Sequence, residues 1–269
     1  MSNPTPNITA PVDLTNPGQF FACCGLLELA DRLWPGVEGW FNSGGSFALR
    51  SEHPECKTLA LLKQLSVAEV KMIDPSEPAA SPMRLHLGGQ PVLLNWWCDT
   101  TSGGSRLKTW AGRQCGHLIF SLMVKRVGSA DPADPFGHSA QVFDKTKAGK
   151  DKDKTISPFY FDARRAGKSL DFGFSPDTQR MSIPEYPVVE ALAMVGLQRC
   201  RPRIDESTTP MSFIYTAWSQ PLGALALTGV ACGMVQVPAM GNFRFTRPSR
   251  GGDYTNMFTR AKRERSSNA

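Results

Sequence analysis

The chain has 269 residues, 41% of them apolar and 20% charged, with a net charge of +6. That length suffices for one large domain or two moderate ones with a real core, and the balance reads as soluble and globular. The composition excludes a membrane-spanning helix: the longest apolar candidate, between Pro221 and Pro238, holds 16 residues and three glycines, short of the roughly 18 residues a span needs.

Ile8 to Leu14 reads as a first strand. Asn16 is a helix cap and Pro17 suits the first helical position, so a helix is predicted to about Leu33, stopped by Trp34-Pro35-Gly36. Gly25 in its middle costs about 1 kcal/mol against alanine, which points to close packing. Trp40-Phe41 and Ser46 to Arg50 form a hairpin around Asn42-Ser43-Gly44-Gly45. Thr58 to Leu65 is a short helix, Val67 to Ile73 a strand, and Asp74 to Pro82 a proline-rich loop. Met83 to Leu87 and Pro91 to Trp97 pair as strands, with Trp96 and Trp97 on opposite faces. Leu107 to Val127 is a long amphipathic helix. Phe159 to Asp162 and Ser169 to Phe174 read as strands, Pro187 to Cys200 as a helix, Ser212 to Trp218 as a strand, Leu222 to Val235 as a helix and Asn242 to Thr246 as a short strand.

This order predicts an α+β fold, with mixed or antiparallel sheets packed with helices. Residues 1–127 form an N-terminal α+β half, 128–157 a flexible charged linker poor in apolar residues, and 158–269 a basic C-terminal α+β half with a basic tail. Ala22-x-x-Gly25-Leu26 with Pro35 beyond is echoed by Ala193-x-x-Gly196-Leu197 with Pro202 beyond. The echo reads either as two related α+β halves or as chance.

Seven scattered cysteines include no C-x-x-C pair, and no two of the four histidines lie closer than about 20 residues. No metal site and no cofactor are expected. Such cysteines act as small core residues in a reducing cytoplasm. No secretion signal is visible at Met1-Ser2-Asn3-Pro4. The serine-hydrolase elbow, phosphate-binding loop and zinc-protease motifs are missing, as is a nuclease-type cluster of carboxylates. No catalytic residue is expected.

The charge is lopsided. Residues 1–134 carry 11 basic and 12 acidic side chains, and residues 135–269 carry 19 and 12. An excess of this kind points to nucleic acid or another anionic surface. The candidate contacts are Lys145, Lys147, Lys150, Lys152 and Lys154 on a charged loop; Arg164, Arg165 and Lys168 beside Tyr160 and Phe161; and Arg244, Arg247, Arg250, Arg260, Lys262 and Arg263 near the C-terminus. Lys108, Arg113 and Gln114, around Trp110, add cations, a ring and an amide near a helix start. Each group also has a plain reading, as a solvated linker, a charged turn or a basic tail.

Asn16-Pro17-Gly18-Gln19-Phe20-Phe21-Ala22-Cys23-Cys24-Gly25-Leu26-Leu27-Glu28 resembles the opening of a CRISPR-associated Csb-type family of subtype I-U (I-G-like) loci. Leu94-Asn95-Trp96-Trp97, Lys108-Thr109-Trp110-Ala111-Gly112-Arg113-Gln114, Asp171-Phe172-Gly173-Phe174-Ser175-Pro176-Asp177, and Tyr215-Thr216-Ala217-Trp218 with Pro221-Leu222 fit it too. The resemblance implies a reduced large-subunit-like component of Cascade, the RNA-guided surveillance complex of antiviral defence. The partners it implies are guide RNA, target DNA, the backbone and guide-processing subunits, and a helicase-nuclease recruited transiently. Such a subunit sits near the guide 5′ end and helps read the protospacer-adjacent motif. On this resemblance the chain is expected to lack the C-terminal helical bundle of full-length large subunits. The alternatives are an RNA-processing or DNA-cleaving enzyme of the same kind of locus, and a scaffold that binds protein alone.

Overall fold

Helix α1 (Pro17–Leu33) forms where the chain signals it. The Asn16 side chain accepts from Gly18 N at 3.1 Å, Pro17 occupies the first turn, and Trp34 N–H closes the end on Ala30 O. The computed structural model describes residues 5–89, 91–110, 114–143, 156–165, 184–248 and 256–264, with Arg165 described by its backbone alone. Every residue of α1 from Pro17 to Ala30 is buried, so this helix runs through the centre of the molecule instead of lying on it.

Sheets surround it. The first has the order β1-β3-β2-β9, built from β1 (Ile8–Pro11), β2 (Glu38–Asn42), β3 (Ser46–Arg50) and β9 (Leu222–Gly223). After α2 (Thr58–Ser66), a small meander follows: β4 (Glu69–Met72), β5 (Met83–His86) and β6 (Pro91–Leu94). Then come α3 (Gly116–Val127) and α4 (Pro187–Arg199). The third sheet has the order β11-β10-β8-β7, from β7 (Arg203–Asp205), β8 (Ser212–Trp218), β10 (Ala239–Thr246) and β11 (Lys262–Arg263). Helix α5 (Leu227–Ala231) lies between β9 and β10. All these pairings are antiparallel. The fold is α+β, as the sequence predicts.

The second all-buried helix is α4, covered from Pro187 to Leu197. It lies against α1 at two glycines. A Cβ on Gly25 would overlap the Leu192 carbonyl oxygen, and one on Gly196 would overlap that of Phe21. Backbone therefore packs on backbone, as glycine alone permits. Gly25 and Gly196 are 171 positions apart, as are Phe21 and Leu192. The contact is thus reciprocal, and it coincides with the repeated Ala-x-x-Gly-Leu. Further along, Glu28 and Arg199 pair at the same spacing, so the two helices run side by side in the same sense. Phe20, Tyr215 and Trp218 bridge α1 and β8: Phe20 stacks on Tyr215 at 4.2 Å, and Trp218 Nε1 donates to Gly39 O at 2.7 Å. One continuous core joins elements from both ends of the chain.

Four local expectations give way to tertiary contacts. Gly104–Leu107 is a single 3-10 turn and α3 starts only at Gly116. Between them the Thr109 carbonyl accepts from Asn256 N, and Trp110 Nε1 donates to Ala79 O, so Thr109 and Trp110 are anchored sideways and not to a helix ladder. Residues 222–235 break into β9, a 3-10 turn and α5, because Leu222 and Gly223 pair with β2 and Gly233 (φ +74°) ends the run. Phe159 to Asp162 is no strand: Tyr160 has φ +62°, and the amides of Phe161 and Asp162 point to the Glu190 carboxyl. Trp96 and Trp97 turn into a 3-10 helix and are both buried, edge-on to each other and to Trp110. Ser169 to Phe174 lies outside the described residues.

Candidate nucleic-acid interface

The third sheet has two unlike faces. Side chains alternate along a strand, and Phe213, Tyr215, Ala217, Phe243 and Phe245 turn inward to the core. The register places Arg203, Ile214, Arg244 and Lys262 in one row across all four strands on the outer face. Asp205, Ser212 and Thr246 form the next row to one side, and Thr216 and Asn242 the next to the other. The outer face is polar and carries cations on three of its strands.

Arg244 is the hinge of its electrostatics. Its Nη1 donates to Asp205 Oδ2 at 2.6 Å and to Ser212 Oγ at 2.5 Å, and its Nη2 donates to Glu264 Oε1 at 2.7 Å. The guanidinium thus roofs Ser212 and Ile214, which are nearly inaccessible. These bonds raise the Arg244 pKa. Hydrogen bonds from Ser207 and then Arg244 hold Asp205 down at about 2. Both carboxylates of the face are therefore committed to Arg244. Arg203 and Lys262 are exposed and form no ion pair among the described residues. Beside them is a concavity of about 380 Å³, lined by Arg203, Ile214, Thr216 and Asn242 and also by Gly233, Val235, Gln236 and Val237. Thr216 Oγ1 donates to Asn242 Oδ1 at 2.8 Å, which aims the Asn242 amide. Two free cations beside hydroxyl and amide groups make a surface able to take a phosphate backbone and to hydrogen-bond a sugar or base edge.

The other predicted contacts are distributed unevenly. Arg260 is exposed but paired with Asp13 at 2.6 Å, and Arg263 donates from Nη2 to Met240 O at 2.5 Å, next to the sheet edge. Arg164 is turned inward: it grips Asp162 at 2.6 Å, donates to Phe136 O at 2.7 Å and lies 3.4 Å from the Tyr186 ring centroid. Lys108 and Arg247 meet away from the sheet face. Arg247 Nη1 donates to Lys108 O at 2.9 Å, and Lys108 Nζ donates to Ala79 O and sits 5.2 Å from the Trp110 ring centroid. Burial lowers both their pKa values. Gln114 is half-buried. Arg113, Lys145, Lys147, Lys150, Lys152, Lys154, Lys168 and Arg250 lie outside the described residues, as does the Arg165 side chain.

Sequence reasoning missed Arg203, Thr216 and Asn242. The alternation of polar and apolar residues over Ser212 to Trp218 and Asn242 to Thr246 was a signal that could have found the last two. Arg203 depends on the register of a three-residue strand. Among the described residues no group of three histidine, cysteine or acidic side chains could hold a metal ion, and none of their helices is long and apolar enough to cross a membrane. Compared with protein-family models, curated proteins and solved structures, the chain matches none.

Proposed function

We propose that this chain is a non-catalytic nucleic-acid-binding subunit of a type I CRISPR RNA-guided DNA surveillance complex, working in the cytoplasm. The observation that carries the binding role is the outer face of the third sheet, where both carboxylates are locked by Arg244 and Arg203 and Lys262 are left over. The complex it serves is inferred from the sequence resemblance alone. In such complexes base pairing supplies sequence specificity, while protein supplies backbone contacts and reads a short duplex motif. A sheet face with cations and no reacting group suits that division of labour. The ligand is guide RNA near its 5′ end, target DNA beside the protospacer-adjacent motif, or both.

The test is co-expression with the neighbouring subunits and a guide RNA, followed by binding to targets with and without a flanking motif. The expected outcome is a stoichiometric complex whose target affinity falls about ten-fold or more on Arg203→Glu with Lys262→Glu, from two lost phosphate contacts and two repulsive ones. Exclusion of the wild-type chain from the complex, or unchanged binding by the double variant, overturns the proposal.

A further inference from the structure

A cavity of about 780 Å³ is distinct from the basic sheet face, although Cys232 lines both. It is a groove where α1 and α4 end side by side. Its lining includes Pro91, Val92 and Leu93 of β6, and Thr228, Cys232 and Met234 in and just after α5. Glu28, Arg32, Arg199 and Arg201 line it too. We propose that this groove binds an extended peptide segment of a partner protein, acidic and apolar in alternation, laid along β6 as an added strand. This goes beyond nucleic-acid binding and does not depend on it.

Three independent observations converge. The first is a strand edge: β6 is the end strand of the β4-β5-β6 sheet, and its outer side has no strand partner among the described residues. An edge of this kind offers backbone donors and acceptors to an incoming chain. The second is exposed apolar surface. Leu93 is 45% exposed and Met234 82%, and both line the groove. The third is charge. Glu28 accepts from Arg32 Nε at 2.8 Å and from Arg199 Nε at 2.5 Å, so two guanidiniums share one carboxylate. Burial opposes ionisation of Glu28, yet Arg199 and then Arg32 outweigh it and lower its pKa. Arg201 is matched by Asp99, which hydrogen bonds from Ser102 and then Arg201 hold well below the carboxylate range. The charged side chains that line the groove therefore sum to +1, with the Asp31 carboxylate acting on Arg199 from outside the lining, and the Nη groups of Arg32 donate to no group among the described residues. Among the described residues no aromatic side chain lines it. Bases would find nothing to stack on, which favours peptide over nucleic acid.

The test uses fluorescence polarisation on the full chain. The probes are a labelled peptide alternating valine and glutamate, its valine–lysine counterpart, and a version N-methylated on alternate amides. The expected result is saturable binding of the glutamate peptide only, weakened about ten-fold by Arg32→Glu and several-fold by Met234→Ser. Arg32 and Met234 are surface positions, so these variants are expected to fold. Bound peptide is also expected to slow alkylation of Cys232, with Cys98 as the internal control. Equal binding of the lysine or N-methylated peptide, no saturable binding, or displacement by a single-stranded oligonucleotide at the concentration that fills the sheet face overturns the proposal.

Discussion

Glu190 is an acid placed where it keeps its proton at neutral pH. It is fully buried at the start of α4, and burial first, with the nearby charges of Asp162 and Glu185, pushes its pKa up to about 8 against the amides that bond it. Between the ordinary value of 4.5 and about 8, the unfolded chain carries this carboxylate charged while the folded chain keeps the proton. Its contribution to stability is full below that window, falls as pH rises through it and levels off above. Glu190→Gln keeps an acceptor for the Asp162 amide, gives up the longer bond from the Phe161 amide, and removes the ionisation penalty. Above pH 8 the variant is expected to gain roughly 1 kcal/mol or more, about 2–4 °C in Tm, and to show a flatter pH profile in thermal melts. A variant less stable than wild type across that whole range would contradict this. At this scale the sequence was half legible. The Asn16 cap and the exposed Lys262 were readable from residue type and neighbours. Arg164 was not, because its partner Asp162 and the Tyr186 ring meet it only after Tyr160 takes its left-handed turn.

The elements most legible in the sequence were those whose signals are local. Cap, proline and apolar run announced α1 and α4 to within a few residues. Residues 222–235 misled because leucine and alanine periodicity carries no word of the β2 edge that captures Leu222 and Gly223. The Ala-x-x-Gly-Leu echo proved to mark the contact between the two buried helices. Its glycines can be tested directly: in Gly25→Ala and Gly196→Ala the new methyl strikes a backbone carbonyl that cannot rotate away. Each is expected to lose about 2–3 kcal/mol or more despite alanine's better helix propensity. Urea denaturation reads this out, and a variant as stable as wild type would mean that the helices do not pack at that distance.

Over the whole molecule, net charge pointed to a partner class but not to a surface. Of the described candidates, Arg164, Arg244 and Arg260 are spent on carboxylates; Lys262, and with it Arg203 in the same row of the sheet, forms no ion pair among the described residues. Binding to a phosphate backbone through that face makes affinity fall with salt. Lys262→Ala is expected to reduce the slope of log affinity against log salt by about 1, while Arg260→Ala, already neutralised by Asp13, reduces it by less. Filter binding over a salt series measures both. The pairing of α1 with α4 has one more consequence. Each helix is buried on every side over most of its length and hides one of its sides against the other. Severed at residue 150, the chain is expected to yield two pieces that are insoluble when made separately. Made together, they should reconstitute a stable heterodimer, with the Gly25–Gly196 contact as its seam.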